Sequence, residues 1–210
     1  MRVTLLGLGV CVLALAWFGA PGVPPAYVFS AHMLRHMAVV AVAAPLLAAA
    51  AAHGPLDPAR AAPWLFAAIP AAMLELVVVW GWHMPVLHQA ARASTGTLVL
   101  EQLAFLGAGL FLWISALGGP AGQRHARRAA GVVGLLLTAM HMTLLGALFA
   151  LAPRPLYQHP GHSVNALAAL EDQHLGGAIM LLVGGASYAA GGVWLVAGML
   201  RGRPAEVQGA

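Results

Sequence analysis

Residues 31–52 read AHMLRHMAVVAVAAPLLAAAAA. After its first turns the run is apolar, and it has the roughly 20 residues that a helix needs to cross a bilayer core. Pro45 sits inside it, where a proline kinks a membrane helix but is tolerated. The head of the run carries the chemistry. His32 and His36 stand four residues apart, on one helical face and one turn from each other. Met33 and Met37 repeat that spacing one position on. Imidazole and thioether together suit a soft ion, Cu(I) above all. Arg35, between them, is costly so close to a bilayer and requires an acidic partner or a headgroup.

The composition agrees with a membrane reading. The chain is 61% hydrophobic and 8% charged, with a mean hydropathy of +0.84. A soluble domain is about a quarter charged. The net charge of +4 does not point to nucleic acid, because the arginines are spread in ones, twos and threes between apolar runs, a pattern of membrane topology. Cys11 is the only cysteine, which excludes an intramolecular disulfide and a zinc ribbon. Ten histidines against six acidic residues invite a metal or haem reading first.

Six apolar runs follow one another, at about 3–20, 31–52, 62–82, 98–117, 129–152 and 174–200. The first has the features of a signal peptide or a signal-anchor and is taken here as retained. The expected architecture is therefore all-α. It is a polytopic bundle of about six transmembrane helices forming a single domain over 1–210. With six spans, Arg2, Arg60, Arg124, Arg127, Arg128, Arg201 and Arg203 fall on one side, and Arg35, Arg92 and Arg154 on the other. The positive-inside rule then places both termini in the cytoplasm.

That topology gathers scattered polar residues at the outer end. His32 and His36 open the second span, His83 closes the third, Glu101 lies one turn inside the fourth, and Asp172 and His174 open the sixth. Glu75 lies deeper in the third span, and a carboxylate there requires a function or a buried partner such as Arg35. His83-Met84 repeats the His–Met dipeptide. The candidate metal ligands are His32, His36 and His83, with Met33, Met37, Met84 and His174 as additions. Glu75, Glu101, Asp172 and Arg35 form a second tier that orients ligands or balances protons. His88, His159 and His162, read as outer-loop residues, carry less weight. The sequence has no glycine-rich phosphate loop, no GxSxG and no HExxH, so no enzyme is indicated.

Four stretches resemble one family. They are His32-Met33-Leu34-Arg35-His36 leading to Ala44-Pro45-Leu46-Leu47, then Trp82-His83-Met84-Pro85, then Glu101 with Phe111-Leu112-Trp113, and then Asp172-Gln173-His174-Leu175-Gly176-Gly177. Together and in this order, over about 31–200, they resemble the polytopic CtaG assembly factors of bacterial caa-type cytochrome c oxidases. The chain departs from that pattern in having Arg35 where the family favours glutamine, His88 where it favours tyrosine, Gln102 where it favours histidine and His174 where it favours glutamine. The resemblance implies a multi-pass protein of the bacterial cytoplasmic membrane. It implies oxidase subunits or other assembly factors as partners, and copper delivered on the outer side. Two other readings stay open. A b-type haem protein would use His36 with His141, or His83 with His174, as axial pairs. A small metal or proton transporter would need polar residues through both leaflets, and the inner halves hold little beyond Ser115 and Thr138.

Overall fold

The structure is a computed structural model that describes residues 1–19, 24, 27–157 and 166–201. His159, His162 and Arg203 lie outside the described residues. Every regular element among the described residues is helical. Helix α1 is Arg2–Phe18. The second run begins as α2, Val28–Met37, passes through a π-helical segment, Ala38–Ala43, and ends as α3, Ala44–Ala51. The short α4 (Pro58–Ala61) precedes α5 (Ala68–Trp82), α6 (Pro85–Ala93), α7 (Thr95–Leu117) and α8 (Arg124–Ala150). The last run is α9 (Ala166–Ile179), a second π-helical segment (Met180–Gly184), and α10 (Gly185–Arg201).

Four continuous helical stretches are long and apolar enough to cross a membrane: Val28–Ala51, Thr95–Leu117, Ala121–Ala150 and Leu167–Arg201. A fifth forms if α5 and α6 are one span broken by a 69° bend. The expected sixth, α1, is apolar but only 17 residues long, and it packs beside α3. The bend has a local cause. Pro85 has no N–H to give and its ring clashes with the preceding turn, so α5 stops and α6 starts in a new direction with Pro85 in its first turn. The stretch 88–97, which reads as a polar loop, is thus helix α6 and the start of α7, whose N-terminus is capped by the Ser94 hydroxyl.

Pro45 does not simply kink its span. It cannot donate to the carbonyl of Ala41, one turn earlier. The Ser187 hydroxyl donates to that carbonyl instead, at 2.6 Å, and the Trp113 indole donates to Val40 O at 3.0 Å. The π-helical turn is therefore satisfied from α10 and α7. Tight helix contacts elsewhere depend on glycine. A Cβ on Gly177 would stand 2.5 Å from the backbone nitrogen of Ala150, so α8 and α9 touch backbone to backbone there.

Asp172 opens no loop. Helix α9 begins before it, and its carboxylate reaches across to the start of α2, accepting from Phe29 N at 2.7 Å and Ser30 N at 2.9 Å. It satisfies two of the orphan amides of that helix terminus and places negative charge at the positive end of the helix dipole. Asp172→Ala should therefore destabilise the protein by about 3 kcal/mol, because two charge-assisted bonds are lost from a buried site. Asp172→Asn should cost about half as much, and thermal unfolding in detergent measures both.

Candidate metal centre

Four helices bring the site together. Helix α2 contributes His32 and His36, both buried, from one face. The end of α5 contributes His83, where the helix stops before Pro85. The new direction of α6 then carries His88 inward, with Ala91 buried on the same face. The fourth wall is α7, with Glu101 and Phe105 buried.

The rings are packed on one another. His32 lies 5.0 Å from His88 and 5.7 Å from His83, centroid to centroid. His36 lies 5.2 Å from His83 and 4.0 Å from the Phe105 ring. One donor atom each from His32, His88 and Glu101 falls within 4.8 Å of the other two. His32 Nδ1 is 4.0 Å from Glu101 Oε2. His83 Nδ1 is 2.6 Å from the Val79 carbonyl, a contact that needs Nδ1–H as donor and leaves the Nε2 lone pair for the cluster.

Several of these atoms have no hydrogen-bond partner among the described residues: His32 Nε2, both ring nitrogens of His36, His83 Nε2 and Glu101 Oε1. A buried polar atom left unpaired costs about 1–3 kcal/mol. The unpaired atoms come from three helices, α2, the end of α5 and α7, whose His32, His36, His83 and Glu101 side chains are all buried.

The carboxylate is held from the other side. Arg92 donates to Glu101 Oε2 at 2.7 Å, and the Gln102 amide donates to the same oxygen at 3.2 Å. The Tyr157 hydroxyl, in the chain after α8, closes the top by donating to the His83 carbonyl at 2.7 Å. Burial raises the Tyr157 phenol above its ordinary range, which keeps it a donor.

The remaining candidate residues lie elsewhere. Met33 and Met37 are buried, but they turn toward Gly176 and Gly184 on the last span. Met84 is exposed at the bend. The ring of His174 has its Nε2 3.0 Å from the Ala152 carbonyl, tying α9 to the end of α8. Glu75 accepts from the Tyr188 hydroxyl at 3.1 Å, deeper in the bundle. Arg35 lines a cavity beside His32, Arg92 and Gln102. His141 faces a separate apolar hollow with Met73 and Leu76. The sequence reading undervalued His88 and did not single out Arg92. The available signal was Pro85 as a helix start, which puts His88, Ala91 and Arg92 on one face of α6.

The family model described as cytochrome c oxidase caa3 assembly factor (Caa3_CtaG) matches residues 1–202, nearly the whole chain. No curated protein and no solved structure matches it.

The ion pair supplies a stability test. Arg92→Met strands the Glu101 carboxylate and should cost about 3 kcal/mol or more. Adding Glu101→Leu should recover most of that loss. Chemical or thermal unfolding of the single and double variants in detergent measures the coupling.

Proposed function

The chain belongs to the family of cytochrome c oxidase caa3 assembly factors, and on that premise we propose that it holds Cu(I) in the buried histidine cluster and passes it to the oxidase. The observation that supports this reading is the approach of one donor atom each from His32, His88 and Glu101 to within 4.8 Å of one another, with the His36 and His83 rings packed beside them. Neutral imidazole is a good ligand for copper.

The proposed ligands are His32, His36 and His83, the first choices of the sequence reading, joined by His88 and Glu101. The thioethers of Met33 and Met37 pack against the last span and leave the donor set mainly nitrogen. Arg92 and Gln102 orient the carboxylate through Oε2, the oxygen that also stands 4.0 Å from His32 Nδ1. Copper is cargo in this reading, and the protein performs no turnover of its own. The cluster end is assigned to the outer face of the bacterial cytoplasmic membrane, with both termini inside and the client oxidase docking from outside. The haem alternative fits less well. Of its axial pairs, His141 lines a separate apolar hollow with Met73 and Leu76, and the His174 ring lies against the Ala152 carbonyl, so neither stands opposite His36 or His83.

Metal analysis with a visible spectrum on reduced, anaerobic, detergent-purified protein tests the proposal. Wild type should retain copper and show no Soret band. His32→Ala/His36→Ala should lose it, and His88→Ala should bind Cu(I) at least about tenfold more weakly in a chelator competition, the loss of one ligand bond. Met33→Leu should leave affinity unchanged. A Soret band, or no Cu(I) uptake by wild type after loading, would overturn the reading.

A further inference from the structure

Four acidic side chains among the described residues are buried, and three of them have an evident reason to carry charge. Glu101 has Arg92 at 2.7 Å. Asp172 accepts from two amides at the start of α2, and Asp57 from three backbone amides at the opposite end of the bundle. Glu75 is different. It is fully buried on α5, eight residues before His83 and so about 12 Å deeper along the helix at 1.5 Å per residue. Among the described residues no cation stands within ion-pair distance of it and no backbone amide donates to it. Arg35, the partner expected from the sequence, lines the cavity beside His32 and Arg92 instead.

The groups that face Glu75 are neutral. From α10 the Tyr188 hydroxyl donates to Oε1 at 3.1 Å, and the Tyr188 ring is itself buried and stacked on Trp113. From α8 the Thr138 hydroxyl lies beside the same carboxyl. Yet Oε2 and Thr138 Oγ1 are both buried without a hydrogen bond of normal geometry. Helix α8 also carries His141, one turn beyond Thr138, but that ring lines the hollow with Met73 and Leu76. Helix α7 brings one acid, Glu101, held at its outer end by Arg92. An ionised carboxylate at Glu75 would have only two neutral hydroxyls to replace its hydration, and the desolvation cost of a buried charge is offset only by an opposite charge or a full set of hydrogen bonds. A carboxylic acid escapes that cost, and its O–H supplies the donor that the two unpartnered oxygens lack.

We propose that Glu75 is a proton-binding site, with a resident proton on Oε2 at neutral pH that is donated to Thr138 Oγ1 while Oε1 accepts from Tyr188. The neutral acid then joins α5, α8 and α10 through one chain of hydrogen bonds deep in the bundle. The site lies apart from the histidine cluster and depends on neither copper nor the identity of the client.

Infrared spectroscopy of the metal-free full chain, in detergent at neutral pH, tests the proposal. Wild type should show the carbonyl stretch of an unionised carboxylic acid, and Glu75→Gln should lack it. Thr138→Val removes the acceptor of the acid's O–H, and Tyr188→Phe removes the donor to its carbonyl, so each should raise the frequency of that band. The amide of Glu75→Gln is a neutral isostere of the acid, so this variant should unfold at nearly the wild-type temperature. No acid band in wild type, or the same band in Glu75→Gln, would overturn the proposal. A carboxylate band that is lost in Glu75→Gln and shifts when sodium is replaced by choline would make the occupant a metal cation and overturn it as well. If Glu75→Gln does not fold, the two frequency shifts assign the band on their own, and a band moved by neither Thr138→Val nor Tyr188→Phe would overturn the assignment.

Discussion

Glu101 is fully buried near the start of α7, and its charge is tolerable there because Arg92 reaches it at 2.7 Å. That pair constrains the whole histidine end. Arg92 can reach α7 only because Pro85 ends α5 and sends α6 off at 69°. The same turn that points Arg92 at Glu101 points His88, four residues earlier, at His32. The bend at Pro85 thus lets Arg92 neutralise the buried charge, and the same bend completes the cluster. The division of labour on the carboxylate also matters. Arg92 and Gln102 both bond Oε2, the oxygen 4.0 Å from His32 Nδ1, and Oε1 has no hydrogen-bond partner among the described residues.

The other buried acids act in the same way at other joints. Asp172 caps α2 from α9, and Glu75 joins α5 to Tyr188 on α10. At the opposite end of the bundle Asp57 accepts from His53 N, Ala59 N and Gly119 N, tying the segment after α3 to the end of α7. In a chain that is 8% charged, each of these three carboxylates joins segments distant in sequence. Hydrophobic burial gives no directional preference between helices already surrounded by lipid, so specific polar contacts carry much of the positional information.

What was legible in the sequence follows from this. His32 and His36 declared themselves by helical spacing within one span, and His83 by its place before Pro85. The family resemblance read from short motifs agrees with the match over 1–202. His88 and Arg92 were less visible because the polar stretch after Pro85 reads as the end of a span, and only the bend shows it to be a second helix folded back on the bundle. The tiers assigned to Asp172 and His174 shared a different weakness. Nearness to one leaflet is a topological fact, but it does not say which of several neighbouring helix ends a side chain faces. Asp172 faces backbone amides and His174 a backbone carbonyl, and neither partner leaves a signature in the sequence. Met33 and Met37 follow the histidines by one position, a rotation of about 100° on a helix, which carries them from the α7 side to the last span.

The rigidity of the cluster can be traced to the two ends of α2. Asp172 holds its first turn, and the π-helical segment at Ala38–Ala43 holds its last, through Ser187 on Ala41 O and Trp113 on Val40 O. Trp113 in turn stacks on Tyr188, with ring centroids 5.6 Å apart, so α7 and α10 grip the same turn. Between those anchors α2 has little freedom to slide or rotate. The unpaired nitrogens of His32 and His36 therefore cannot lower their energy by shifting toward a backbone carbonyl, as His83 Nδ1 and His174 do. A flexible helix would relax and bury the cost. A pinned one preserves it, and under the proposed copper reading an ion entering the cluster would recover that cost without first ordering the site.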